Sequence, residues 1–334
     1  PGLLGAFAQS PNPDAAFLRF DQFLSRLPAG VQVFSLLYQN PPLLAFLAEV
    51  MGAAPRLADL IARHPGLLDA VLSADFFEAF PTREALEREL RRALARARDH
   101  QDELDIARRW ANERKFQIGV QLLRGTIDAV PAGAAFADIA EASIATLLDL
   151  VEKELARTHG RIPGGAAVVL GMGKLGGREM TPTSDLDLIL IYEAPEGVEG
   201  SDGPRPLAVS TWYARLCQRL VTALTALTPE GRLYEVDMRL RPSGNAGPAA
   251  SSFDSFRRYH AESAWTWEHM ALTRARPVAG DASLAARVME EIRRVLARPR
   301  DKERLVLDVA EMREKMAAAH PDVPQWEVKH RRGG

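Results

Sequence analysis

One cysteine, Cys217, occurs in 334 residues. This excludes an internal disulfide and any multi-cysteine metal centre, and it fits a reducing compartment, so the expected location is cytoplasmic. Lysine is also scarce. Only Lys115, Lys153, Lys174, Lys302, Lys315 and Lys329 stand among 42 basic residues, which makes a lysine inside a glycine-rich segment, Lys174, conspicuous. A charge excess is missing too. The net charge of −2 gives no electrostatic case for a nucleic-acid partner, because a surface that tracks phosphates carries a basic excess. No long apolar run is present. Pro28 to Ala48 comes nearest, yet Gln32, Asn40, Pro41 and Pro42 interrupt it, and a membrane span needs about 20 predominantly apolar residues. Two soluble helices and no membrane are therefore expected there. The sequence shows no basic leader with a small-residue cleavage site at Pro1, so no secretory signal is expected. His269 has no second histidine at helical spacing, so a satisfied or exposed histidine is expected rather than a zinc ligand.

What is present belongs to a globular protein with room for two domains: 47% hydrophobic and 26% charged residues. The first 160 or so positions carry helical signals almost throughout. Asn12 or Asp14 can cap a helix over Ala15 to Leu27, and Pro41, Pro55 and Pro65 mark successive helix starts, where proline costs no hydrogen bond. Thr82 predicts the N-cap of a charged helix from Arg83 to about His100, whose arginines Arg91, Arg92, Arg96 and Arg98 read as a solvated face. Further helices are predicted over Asp102 to Arg124 and Ile139 to Arg157. In the second of these, Ile144, Leu147, Leu148, Val151 and Leu155 form one apolar stripe. The run His159 to Gly165 then breaks the pattern and opens an α/β part.

The chemistry concentrates between Ala166 and Glu193. An apolar run, Ala166 to Leu170, enters a glycine-rich loop that delivers Ser184-Asp185-Leu186-Asp187 to the head of a second apolar run. Alternate side chains of a strand share a face, so Asp185 and Asp187 project together, Ile189 and Ile191 continue their face into the core, and Leu186, Leu188 and Leu190 point the other way. Adjacent carboxylates repel unless protonated or bridged by a cation. Such oxygen ligands suit Mg2+, which favours carboxylates together with substrate phosphates.

A second charged line follows a predicted helix bearing Trp212, Leu216, Leu220, Ala223 and Leu227. Arg232 to Arg241 alternates as a third strand, placing Glu235, Asp237, Arg239 and Arg241 on one side. If the strands pair, Asp185, Asp187 and Asp237 converge. Three carboxylates can hold two divalent ions about 4 Å apart for an in-line displacement at phosphorus. Arg239 and Arg241 could clasp phosphate oxygens, Ser184 could supply a hydroxyl, and Lys174 with the backbone at Gly176 and Gly177 could meet the same polyphosphate. The expected reaction is metal-assisted phosphoryl or nucleotidyl transfer. Two alternatives stand beside it. Gly171, Gly173 and Gly176 imitate a dinucleotide-binding fingerprint, although Pro182 breaks the loop and the acids open the next strand. The aspartates could also merely cap a strand and pair with the arginines.

Cys217 reads as a buried, inert thiol, Trp265 and Trp267 as core aromatics, with flanking of a nucleotide base or of a partner surface as the alternative, and Arg274 and Arg276 as surface ion-pair partners, with phosphate neutralisation as the alternative. Phe253, Phe256 and Tyr259 begin one late helix, Ser283 is expected to cap another, and Leu305, Val309, Met312 and Met316 stripe a third. The string WEVKHRRGG stops without a cap or polar tail, which predicts that the chain is a piece of a longer protein.

Ser-Asp-x-Asp behind paired glycines, with a later strand aspartate, resembles the DNA polymerase β-type nucleotidyltransferase superfamily. The longer strings GMGKLGGREMTPTSDLDLILIY, RLYEVDMRLRPSGNAGP and AWTWEHMALTRARPVAGD resemble the glutamine synthetase adenylyltransferase family, whose bifunctional members add AMP to and remove it from a glutamine synthetase tyrosine. The resemblance covers nearly the whole chain. Ser243 to Pro248 and Ala264 to His269 are similar to the C-terminal, AMP-adding domain rather than the AMP-removing one.

The resemblance implies an α+β fold. A helical segment over residues 1–100, with its boundary inside a window of about 96–138, would precede a polymerase β-type nucleotidyltransferase domain over 101–334. That domain would hold a small mixed sheet flanked by helices, with 253–334 mainly helical and truncated. The resemblance further implies catalytic and metal-binding Asp185, Asp187 and Asp237, and ATP as substrate with two Mg2+ ions. Glutamine synthetase would be the protein substrate, with glutamine and the PII signal protein as regulators. Phosphorolytic AMP removal, a catalytically incomplete interaction module and a nucleic-acid nucleotidyltransferase are the competing readings.

Overall fold

A computed structural model describes residues 2–25, 30–71 and 74–319. The string Trp326 to Gly334, the predicted helix end at Leu27 and the opening of the Pro28 to Ala48 run lie outside the described residues. The elements in order are α1 (Gly2–Ala8), α2 (Pro13–Ser25), α3 (Gly30–Gln39), α4 (Pro41–Ala53), α5 (Pro55–Arg63), α6 (Leu67–Val71), α7 (Arg83–Leu94), α8 (His100–Leu123) and α9 (Ala129–His159). They continue with β1 (Ala166–Gly171), α10 (Gly173–Gly176), β2 (Leu186–Glu193), α11 (Val209–Thr225), β3 (Val236–Asp237), β4 (Ala250–Ser252), α12 (Phe253–Glu262), α13 (Thr266–Leu272), β5 (Arg276–Gly280), α14 (Ala282–Leu296) and α15 (Lys302–Ala319). The α+β class expected from the sequence is the one found. Among the described residues, no helix is long and apolar enough to cross a membrane.

The chain divides into two compact units. The first comprises Pro1–Ser143, Glu179–Thr183 and Leu227–Leu233. Its helices form where the sequence places their caps: Asn12 accepts from the Ala15 amide at 3.2 Å, prolines open α4 and α5, and Thr82 accepts from Ala85. The charged helix predicted to reach His100 ends at Leu94 instead. Asp99 caps a new helix there by accepting from the Asp102 amide at 2.8 Å. Burial follows helical spacing, with Ala16, Phe20 and Phe23 on α2 and Leu86, Leu90 and Leu94 on α7. Phe20, Phe23, Phe46, Leu47, Met51, Ile61 and Phe116 form the centre of the core. Arg91, Arg92, Arg96 and Arg98 are exposed, as a solvated face requires.

The second unit comprises Ile144–Arg178, Ser184–Ala226 and Tyr234–Gly334. Ile144, Leu147, Leu148, Val151 and Leu155 are all buried, as the stripe predicts. The sheet runs β3-β2-β1-β5, with β4 also on β2. β1 is antiparallel to both β2 and β5, whereas β3 and β4 lie parallel to β2 at its start and its end. Ile189 and Ile191 pack with Val168, Leu170, Phe256, Leu284, Val288 and Ile292. The opposite face of β2 is covered at Tyr192, which stacks on Tyr213 of α11 with ring centroids 4.3 Å apart.

Several expectations fail here. The ten-residue third strand pairs only over Val236–Asp237, after which the chain turns. Asp281, not Ser283, caps α14 by accepting from Leu284 at 2.8 Å. On α15, Leu305, Val309 and Met312 are only partly covered and Met316 is exposed. Trp265, predicted as core, is 70% exposed, and Trp267 is exposed as well.

Candidate active site

The site grows from three backbone connections in the second unit. β1 ends at Gly171, and the next amide, Met172 N–H, donates to Asp187 O at 2.8 Å. This ties the glycine segment to the head of β2. That segment is one helical turn, α10, rather than an open loop: the Gly176 amide donates to Met172 O and the Gly177 amide to Gly173 O. Both amides are therefore engaged within the turn. Gly173 has φ +49°, and a Cβ there would collide with Asp187 Oδ2. At Gly176 it would collide with the Arg274 carbonyl. The two glycines thus serve close approach of the chain to the carboxylate on one side and to the segment before β5 on the other.

The third connection brings the aspartates together. Parallel pairing sets Leu186 against Val236 and Asp187 against Asp237. Register partners of neighbouring strands carry their side chains on one face, so the Asp187 and Asp237 carboxylates are neighbours. Asp185, two positions earlier on the same alternation, is exposed, and Ser184 beside it is buried.

Arg239 is placed by Asp237. Its amide donates to Oδ1 at 2.8 Å, its Nε donates to Oδ2 at 2.8 Å, and its Nη2 donates to Oδ2 as well. This clasp holds the Asp237 carboxyl below the usual carboxylate range, and the carboxylate in turn raises Arg239, with smaller contributions from Asp187 and Asp185. The guanidinium therefore feels all three aspartates. Part of the arginine-pairing alternative is present in this contact. Arg241 turns elsewhere: Nη1 donates to Met238 O at 2.8 Å, Nε to Pro248 O at 3.0 Å, and Nη2 to Gly247 O. It braces the turn after β3. Lys174 is exposed on α10.

The sequence reading named Arg274 and Arg276 but did not foresee their partners behind the glycine turn. Arg274 Nε donates to Gly173 O at 3.1 Å, while Arg276 Nε and Nη2 donate to Gly176 O and Leu175 O. Gly173 O and Leu175 O already accept from the Gly177 and Arg178 amides, so the guanidinium groups add second bonds there as well as meeting Gly176 O. Their signal was the register of Arg276 against Gly171, which only strand pairing reveals. Cys217 agrees with its reading: it is buried, donates to Ala249 O, and burial pushes its thiol up to about 12. His269 is satisfied, its Nε2 facing His260 O and its Nδ1 facing Arg300. Buried Glu268 accepts from Tyr259 Oη and the Trp265 amide, both at 2.8 Å.

A dinucleotide fold is excluded, because β1 and β2 are antiparallel neighbours and form no βαβ unit. The oxygen-only set of Asp185, Asp187 and Asp237 fits a hard divalent cation in chemistry. Among the described residues, no three carboxylate, histidine or cysteine side chains converge on one point as they stand. Arg239 supplies the counter-charge at Asp237.

Residues 44–291 match the family described as glutamate-ammonia ligase adenylyltransferase. The chain belongs to this family. A bifunctional glutamine synthetase adenylyltransferase/adenylyl-removing enzyme of Brucella melitensis is 52% identical over 334 residues, which is all of this chain and 34% of the relative. Enzymes of the same name from Mesorhizobium japonicum and Bartonella quintana are 48% and 45% identical over the same share. The chain spans about a third of the length of these relatives.

Proposed function

We propose that this chain carries the AMP-adding catalytic unit, transferring AMP from ATP to a tyrosine hydroxyl of glutamine synthetase. The observation that carries the reading is the parallel register of Asp187 with Asp237 beside the glycine turn. The tyrosine oxygen attacks the α-phosphorus, a new O–P bond forms, and the α–β P–O bond breaks to release pyrophosphate. Asp237, held ionised by Arg239, accepts the hydroxyl proton and passes it to water. Asp185 and Asp187, with Asp237, would hold two Mg2+ ions, which when bound supply polarisation of the phosphoryl oxygens and charge neutralisation. Lys174 and Ser184 meet phosphate oxygens, and Arg239, while it keeps Asp237 through Nε and Nη2, offers Nη1 to the triphosphate. Gly177, exposed at the end of α10, leaves room for a nucleotide, and Gly176 supports it by letting the turn close onto the Arg274 carbonyl. Arg241 acts on the same nucleotide through the turn that it braces.

The work would take place in the cytoplasm, under control of glutamine and the PII signal protein acting on the longer protein. Incubation with base-labelled ATP, Mg2+ and unmodified glutamine synthetase tests the reading. Label is expected on the target, with loss of labelling in Asp187→Asn and Asp237→Asn. Stripping of AMP from modified glutamine synthetase without any labelling of the unmodified protein would overturn it in favour of removal. Absence of metal-dependent ATP binding by calorimetry would favour an interaction module.

A further inference from the structure

Four residues make up α10, and two of them, Gly173 and Gly176, are glycines, with Gly177 directly behind. Glycine is unfavourable in a helix, and a single turn closes too few bonds to offset its own ordering. The turn therefore depends on its surroundings. Leu175, fully buried, pins its inner side, and a Cβ on Gly171 would run into that side chain. Apolar burial has no direction, so this anchor fixes a point of the turn and leaves rotation about it open.

The arginines at the head of β5 supply the direction. Arg274 donates from Nε to Gly173 O at 3.1 Å, while Arg276 donates from Nε to Gly176 O at 3.2 Å and from Nη2 to Leu175 O at 3.0 Å. Arg276 is itself held in the ladder as the register partner of Gly171, the last residue of β1. A guanidinium presents its donors in a rigid planar fork, so two bonds to neighbouring carbonyls define an orientation that one ammonium cannot. On its other side the turn meets β2: Gly173 lies against Asp187 Oδ2, and the Met172 amide donates to Asp187 O at 2.8 Å. Exposed Lys174 follows Gly173 directly. Any rotation of α10 about Leu175 would change where Lys174 stands relative to the Asp187 carboxylate. All of these groups belong to the second unit.

We propose that Arg274 and Arg276 are positioning residues. Together they set the rotation of α10 about Leu175, and with it the place of Lys174 relative to Asp187. The effect on AMP transfer rests on the adenylyl-transfer reading, in which Lys174 meets phosphate; the effect on the turn does not.

Hydrogen exchange read by NMR compares the Gly176 and Gly177 amides, which close α10, with amides of the β1–β2 ladder. In Arg276→Met both are expected to exchange about tenfold faster with the ladder unchanged, as for a local opening. Arg276→Lys keeps the charge but not the fork, and is expected to stay within about twofold of Arg276→Met. Arg274 is exposed, so Arg274→Met carries little risk to folding, and it should speed exchange at Gly177, whose acceptor Gly173 O it shares. In the labelling assay, Arg276→Met should raise KM for ATP about tenfold with kcat within about threefold, as for lost binding common to ground and transition states. In a Lys174→Met background the same change should add less than about twofold, because it acts through that lysine. Unchanged Gly176 and Gly177 exchange in the arginine variants, equal acceleration throughout the ladder, or full recovery in Arg276→Lys would overturn the proposal. So would KM effects of Arg276→Met and Lys174→Met that simply multiply. A parent chain that transfers no AMP defeats the adenylyl-transfer reading alone, and the exchange measurement still decides the role in the turn.

Discussion

Asp187 and Asp237 sit side by side as register partners on two parallel strands, although a glycine-free stretch of strand, a loop and the whole of α11 separate them in the chain. Their proximity concentrates negative charge at the head of β2, and Arg239 answers it by clasping Asp237. Replacing Asp187 with Asn leaves the hydrogen-bonded backbone in place. It is expected to lower AMP transfer by about 10²-fold or more, as for loss of a group acting on phosphoryl charge. The measurement is labelled-AMP incorporation alongside a thermal melt that should be nearly unchanged.

The Asp237 carboxyl titrates below the ordinary carboxylate range because of Arg239. Its ionised form is favoured by folding, so the contribution is present above the unfolded value of about 3.9 and is lost as pH falls through the lower folded value. In Arg239→Ala, carbon-detected NMR should show the Asp237 carboxyl moving up toward the ordinary range. An unmoved titration would mean that the clasp is not formed in solution.

Lys115 gives a dependence of the opposite sense. Its folded value is about 7, below the value of about 10.4 for an unfolded lysine. Between these values the unfolded chain binds more protons, so unfolding free energy should rise as pH increases from about 7 to about 10.4. Urea titrations at pH 7 and pH 10 check this. Lys115→Met should show a smaller rise than the parent chain, because it has no ammonium to bury.

Gly173 combines a left-handed backbone with contact against Asp187. Gly173→Ala should cost about 1–2 kcal/mol for the backbone alone, with a further cost for displacing the carboxylate. Chemical denaturation measures the sum, and a loss below about 0.5 kcal/mol would show that the turn relaxes freely.

Among core positions, Ile191 lies at full burial between β1 and the helices α12 and α14. Ile191→Ala should cost about 2–5 kcal/mol, read as a shift of the denaturation midpoint at unchanged slope.

Much of this was legible in the residues. The two-residue alternation of Asp185, Asp187, Ile189 and Ile191 marks one strand face, and local chemistry marks the caps at Asn12 and Thr82. Both signals act over a turn or a strand and need no knowledge of distant neighbours. Asp99 was passed over because the arginine run before it continues a helical composition, yet its side chain ends one helix and starts another. Arg274 and Arg276 looked like surface charge because their partners are backbone carbonyls of α10 about a hundred positions earlier. The exposed Trp265 was misplaced because aromatic character favours burial on average and says nothing about one site.

By itself the sequence determined the helical opening, the apolar strands and the presence of three aspartates behind a glycine segment, because propensity, periodicity and capping are properties of neighbouring residues. Tertiary structure decided that β3 is short, that Asp237 faces Asp187, that Arg239 turns back onto Asp237, and that Arg108 and Lys115 bond the carbonyls of Gly231 and Leu233. Those relations depend on register and on carbonyls of distant segments, which the backbone supplies at every residue alike and which no side-chain pattern announces.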